Sequence, residues 1–213
     1  MNFRFFAAFL ALSLCSVAVY GQAGDGPFKV RYASNLGIGD SVINATNDGA
    51  SSTVALPIQN GNICMNVYTF SPDEQLVSCC SCLITPNGLV SLSAINDLIS
   101  NTLTPVHPTS IVVKLLGSAG TTPASCNAST VGTGTNVLAT GLVAWGTTLH
   151  ALPVTPGSPA TTFGVTETAF TEATLSAAEL VRITTLCGFN QISGSGFGIC
   201  RACRFGGLGA TQQ

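Results

Sequence analysis

The sequence predicts a β-rich domain, all-β or α+β, in which antiparallel sheets stack in a sandwich-like arrangement. Two or three short helices pack against it and disulfides reinforce it. Three observations predict this. Short apolar segments, some alternating with period two, recur between clusters of turn formers. Charged residues make up only 8% of the chain, against roughly 25% in an ordinary domain, so Ser, Thr, Asn and Gly carry the solubility. Nine cysteines stand in a chain that opens like an exported one.

The opening is "MNFR" followed by "FFAAFLALSLCSVAVY", 16 residues without a charge. "GQA" at Gly21 to Ala23 then offers the small residues of a signal-peptidase site. Residues 1–23 are therefore expected to be a signal peptide cut near Ala23. Residues 24–213 then form a single disulfide-stabilised domain of about 190 residues, long enough to bury a real core. Cys15 lies inside the apolar run after Leu14, which does not fit a lipoprotein cleavage site. No other stretch is long and apolar enough to span a bilayer. No basic stripe marks a nucleic-acid or acidic-membrane partner, because seven basic residues face nine acidic ones. The same low charge leaves self-association open, since little repels two copies.

Phe28 to Ser34, "FKVRYAS", alternates Phe28, Val30 and Tyr32 with Lys29 and Arg31, the pattern of a half-buried strand. Short strands are expected near Val42–Ile43 and Val54–Ile58. Asn62 to Phe70, "NICMNVYTF", is a strand. "SPDE" at Ser71 to Glu74 is a turn with Pro72 at its second position, and Gln75 to Ile84 is the returning strand. "TPNG" at Thr85 to Gly88 makes the next turn. Leu92, Ile95, Leu98, Ile99 and Leu103 have helical spacing over Ser91–Leu103. Ser110 to Leu116 is a buried strand, and Val137 to Leu152 fits helix or strand. Two loops rich in small residues are expected at 117–136 and 153–162. A second helix runs from Ser176 to Cys187. Ser176 and Glu179 form a capping box, Leu175 and Leu180 a hydrophobic staple, and Gly188 a stop. The end, "GFGICRACRFGGLGATQQ", is Gly-rich and irregular.

Beyond Cys15, eight cysteines remain as disulfide candidates: Cys64, Cys79, Cys80, Cys82, Cys126, Cys187, Cys200 and Cys203. An even number in an exported chain reads as up to four bonds, with 105 pairings open. On a strand, Cys80 and Cys82 share one face and Cys79 takes the other. A two-residue tip at Pro72–Asp73 sets Cys64 opposite Ser81, on the face of Cys79. A loop one residue longer or shorter moves Cys64 to the face of Cys80 and Cys82. Which member of the triplet takes Cys64 is therefore open. Adjacent strand residues diverge, so at least two of the three should reach distant parts of the chain.

The same residues raise other chemistries. Cys80, Cys82, Cys200 and Cys203 could hold a tetrahedral zinc, although Cys80-Ser81-Cys82 lacks the C-x-x-C knuckle. Cys200-Arg201-Ala202-Cys203 lies in a Gly-rich tail rather than at a helix start in a βαβ unit, which disfavours a redox motif. A secreted hydrolase would need His107, in "TPVHPTS", or His150, in "TTLHALP", beside a serine and an acid. No G-x-S-x-G elbow supports it. "GSGFG" at Gly194 to Gly198 lacks the lysine and flanking elements of a phosphate loop. Asn44-Ala45-Thr46 and Asn127-Ala128-Ser129 match the glycosylation sequon at a frequency chance supplies. No motif asks for a cofactor, and no catalytic set stands out.

"NICMNVYTFSPDEQLVSCCSCLITPNGL" at 62–89, with "TLSAAEL" at 174–180 and "SGSGFGIC" at 193–200, resembles a set of uncharacterised exported bacterial proteins. These share a cysteine-rich hairpin closed by a T-P-N/D-G-L turn. The resemblance implies a bacterial, exported protein and no particular activity. The expectation is a secreted or extracytoplasmic, non-catalytic protein with a structural or ligand-binding role. Its partner would be an extracellular ligand or surface component.

Overall fold

The computed structural model describes residues 26–51, 61–152 and 163–203. The signal segment at 1–23, the apolar piece at Val54–Ile58 and the 153–162 loop lie outside the described residues.

Among the described residues nine strands form two antiparallel sheets. They are β1 (Phe28–Ala33), β2 (Ser41–Asn47), β3 (Ile63–Phe70), β4 (Leu76–Ile84), β5 (Leu89–Ser93), β6 (Ile111–Ala119), β7 (Leu142–Ala151), β8 (Phe163–Ala169) and β9 (Thr171–Glu172). One sheet has the order β4-β3-β6-β1-β9 and the other β5-β2-β7-β8. The interior between them holds Ile63, Met65 and Val67 of β3 and Ile111, Val113 and Leu115 of β6. Opposite lie Ile43 and Ala45 of β2, Val90 and Leu92 of β5, and Leu142 and Ala144 of β7. The five-stranded sheet is buried on its other face too. There Phe28, Tyr68, Phe70, Cys79 and Leu116 pack under Ala128, Val131 and helix α1 (Ala177–Ile192) through Ile183 and Cys187. This sheet is thus the middle of three layers, which is why every residue of β3 and β4 is buried.

The β-rich, disulfide-reinforced sandwich is what the sequence predicts, but details differ. Among the described residues the helical elements are one α-helix, a π-type turn at Ala94–Leu98 and a 3₁₀ turn at Pro123–Ser125. The Ser91–Leu103 helix is replaced by β5 and that π-type turn. Val90 and Leu92 alternate inward against β2, and the Asp97 carboxylate accepts from Ser93 N at 2.7 Å. Pairing of Leu89–Ser93 with β2 takes Leu92 out of the helical pattern and leaves too few residues for more than the π-type turn. Helix α1 does not stop at Gly188. A side chain there would meet only Ser129 Cβ at 3.7 Å, and contacts from Asn190 and Gln191 carry the helix on to Ile192. Ser176 Oγ accepts from Glu179 N at 3.1 Å as a cap should, whereas the Glu179 carboxylate turns to Lys114 and Arg182. Within the ambiguous 137–152 segment, Leu142–Ala151 is strand β7. Finally, Lys29 and Arg31 do not face water. Both point between the sheets and are buried.

Arg31 shows how such a residue is accommodated. Its guanidinium donates to Thr168 Oγ1 at 3.1 Å, Ser41 Oγ at 3.1 Å and Thr148 Oγ1 at 2.9 Å. It lies flat on the β7 backbone at Gly146, where a Cβ would fall 1.7 Å from Nη1. Burial pulls its pKa below the usual value.

Candidate binding cleft

The hairpin of β3 and β4 sets the site. Ser71 N donates to Gln75 O at 3.0 Å, and Glu74 takes the left-handed conformation (φ 66°), so the loop is one residue longer than a Pro72–Asp73 tip. By itself that would move Cys64 to the face of Cys80 and Cys82. A bulge follows: Phe70 pairs with Leu76 but Thr69 with Ser78. The second extra residue restores the original face. Cys64 stands opposite Leu83, on the face of Cys79.

Cys64 nevertheless takes none of the triplet. It bonds Cys126 in the loop that covers this face. Cys79 bonds Cys187 on α1, Cys80 bonds Cys200, and Cys82 bonds Cys203, with Cα–Cα distances of 5.8, 5.5 and 4.9 Å. All three triplet members therefore reach more than 100 residues along the chain. Strand β4 is fastened to α1 on its outer face and to the C-terminal segment on its inner one. The four thiols weighed for a zinc site do meet, as two disulfides, which leaves no thiolate among them to bind a cation.

Strand β4 is an edge strand, and residues 198–200 run parallel beside it: Cys79 N donates to Gly198 O at 3.0 Å, and Cys200 N to Cys79 O at 3.2 Å. Beyond that short pairing lies a cleft of about 570 Å³. Its floor is β4 at Cys79 to Ser81. One wall is the 124–128 loop, and the other is the end of α1 with Gly194, Gly196 and Ile199. Polar contacts, several of them buried, hold these parts. Tyr68 donates to Ala128 O at 2.6 Å, and burial pushes its phenol pKa well up, which keeps the donor proton in place. Asn66 donates to Leu116 O and Ser118 Oγ, both at 2.8 Å, and accepts from Ser81 Oγ at 2.7 Å. Asn127 Oδ1 accepts from Ser129 N and from Gln191 Nε2, both at 3.0 Å, joining loop to helix. Asn190 Nδ2 donates to Gly198 O at 3.1 Å.

Among the described lining residues none titrates, because the cysteines are bonded and the rest are amides, Ser81, glycines and apolar side chains. Asn127 Nδ2, Gln191 Oε1 and Asn190 Oδ1 make no described bond and belong to cleft-lining residues. Strand alternation adds backbone groups. Cys79 bonds outward from the sheet, so Ser81 N–H and C=O point outward as well. The cleft can bind a neutral polar group; its described walls supply no acid, base or nucleophile.

No protein-family model matches this chain, and no curated protein or solved structure matches it either.

The two histidines are elsewhere. His107 Nδ1 lies 2.6 Å from Ile99 O in an exposed loop, and His150 Nε2 lies 3.2 Å from Thr166 Oγ1 across β7 and β8. Neither hydrogen-bonds a serine or cysteine among the described residues, so the nucleophile–base pair a hydrolase needs is not assembled at either. Asn44 Nδ2 of the first sequon donates to Thr147 Oγ1 within the sheet. Sequence reasoning missed the cleft because Asn190 and Gln191 belong to no motif and Asn127 stands only in a sequon of the kind chance supplies. The signals were Asn127 in the loop and the Asn190–Gln191 amide pair near the helix end.

Proposed function

We propose that the protein is an exported, non-catalytic binding protein of the bacterial cell exterior. In this reading the cleft beside β4 takes an uncharged ligand bearing hydroxyl or amide groups. The observation that carries it is the cleft's lining: side-chain amides with spare hydrogen-bonding capacity, and no titratable group among the described residues. Four disulfides suit an oxidising, extracytoplasmic setting. No helix among the described residues is long and apolar enough to cross a membrane. The disulfides also support binding energetically, since a cleft with cross-linked walls loses little conformational freedom on occupancy. Export and bacterial origin rest on the opening segment and the resemblance of the hairpin.

The test is a titration of isotope-labelled, oxidised protein with short uncharged oligosaccharides and with end-blocked dipeptides, followed by NMR. Shifts confined to Ser81, Asn127, Asn190 and Gln191 are expected with one of these probes. Shifts scattered over the surface, or none at millimolar probe, refute the cleft as a binding site. Intact mass of protein recovered from the medium, with and without reductant, tests export and oxidation together. Loss of residues 1–23 and a gain of eight hydrogens on reduction are expected.

A further inference from the structure

Among the described residues the two sheets have four edges, and three are blunted. Strand β4 is paired with residues 198–200. Strand β9 is two residues long. Strand β5 is short, and its end is closed by the Asp97 carboxylate on Ser93 N. Short edges, covered edges and inward charges are the usual protections against edge pairing. Strand β8 has none of them. It is seven residues long, and all its residues but Gly164 are exposed, with Val165 at 61%. No described residue pairs with its outer side. Its single charge is Glu167.

Its backbone phase is fixed by Phe170 N, which donates to Ala144 O at 3.0 Å. In the same register, Gly164, Thr166 and Thr168 turn their backbone groups toward β7. Phe163, Val165, Glu167 and Ala169 therefore direct N–H and C=O outward.

We propose that β8 pairs antiparallel with β8 of a second copy, joining two four-stranded sheets into one continuous sheet. The sequence of β8 is self-complementary for this. A two-fold axis at Val165 sets Val165 against Val165 of the other copy and Phe163 against Glu167 of the other copy. All these residues are outward-facing, so the three pairs each exchange two backbone hydrogen bonds. The two Glu167 carboxylates are then four residues apart, about 13 Å along the strand, and do not oppose each other. On the outer face Val165 lies beside its counterpart, next to Leu149 of β7, and Phe163, next to Ala151, packs beside the Glu167 stem of the other copy. A net charge of −2 adds little repulsion.

Sedimentation of the oxidised protein over a concentration series tests this, with Val165→Pro as the decisive variant. The Val165 N–H bonds no described residue, so among these residues proline at this edge position removes only the intermolecular donor. Val165→Lys is the second variant, should proline disturb folding; the control Thr166→Pro removes a donor to β7. Expected are a dimer for the wild type, a monomer for Val165→Pro and Val165→Lys with unchanged circular dichroism, and exchange protection at the Val165 and Glu167 amides that grows with concentration. A monomeric wild type overturns the proposal, as does a dimer or larger assembly that Val165→Pro and Val165→Lys leave intact. Concentration-independent protection at Val165 also overturns it, because the chain itself would then cover the edge.

Discussion

Removing one disulfide at a time should reverse the order that their sequence separations suggest. Cys82–Cys203 spans 121 residues and Cys64–Cys126 spans 62, so taken singly the former should restrict the unfolded chain more. The bonds are not independent, however. With Cys80–Cys200 in place, Cys82–Cys203 closes a loop of only about five residues, made of the 80–82 and 200–203 segments; a chain-entropy argument gives it about 2 kcal/mol. Likewise Cys79–Cys187, backed by Cys80–Cys200, closes about 14 residues and contributes about 3 kcal/mol. No other bond shortens the path between Cys64 and Cys126, so that bond retains about 4 kcal/mol. All eight sulfurs are buried, so the packing lost in paired Cys→Ala variants is comparable and the ranking survives it. Urea unfolding without reductant measures the three variants. Cys64/Cys126 should be the most destabilised and Cys82/Cys203 the least. Loss of both Cys80–Cys200 and Cys82–Cys203 should cost more than the two single losses added, because each backs up the other. If removing Cys82–Cys203 costs as much as removing Cys64–Cys126, the redundancy argument is wrong.

Three further outcomes follow from named contacts. Gly146→Ala should destabilise by about 1–3 kcal/mol through overpacking against Arg31; Arg31→Met in the same chain should recover part of the loss, read as coupling in a double-mutant cycle. Tyr68→Phe should cost about 1 kcal/mol by stripping Ala128 O of its donor. In the wild type, burial raises the Tyr68 pKa, so the unfolded chain releases that proton first and stability should fall as pH rises past about 10; the variant should lose less. Burial alone would raise the Glu179 carboxyl, but hydrogen bonds from Arg182 and Lys114 outweigh it and hold its pKa below the usual value. Its stabilisation is therefore complete above the ordinary carboxylate range and is lost as pH falls through the native pKa, so the melting-temperature gap between wild type and Glu179→Gln should close in acid.

What the sequence made legible was local. The period-two run of β1, the Pro72 turn and the Ser176 cap each act over a few residues, and each element formed where its pattern stood. The direction a face takes depends on the layer above it. Lys29 and Arg31 read as the wet side of β1, yet the second sheet lies over them, and hydroxyls of Ser41, Thr148 and Thr168 with the bare backbone of Gly146 make the burial tolerable. Strand β8 showed no signal because it is exposed on both sides, so no apolar face marks it; β7 alone imposes its conformation. The face of Cys64 depended on one extra residue in the loop and one in the bulge, whose effects cancel. Its partner depended on a loop more than 50 residues away, which no hairpin geometry could supply.

The placement of sulfur answers a shortage of apolar anchors. Strand β4 is the edge of the middle layer, so both its faces need cover. The elements that cover it have little to bury. Helix α1 buries only Ile183, Cys187 and Asn190, and the 193–200 stretch is largely Gly and Ser, with Phe197 exposed. Such a segment gains too little from burial to offset its ordering cost. Covalent bonds to Cys79, Cys80 and Cys82 replace that gain on both faces. The core between the sheets has apolar side chains in plenty and should persist without them. In the Cys→Ala variant of Cys80, Cys82, Cys200 and Cys203, exchange should therefore quicken at Gly198 N and Cys79 N. Val67 and Leu115 should keep their protection. Uniform loss of protection would mean that the disulfides hold the whole sandwich together.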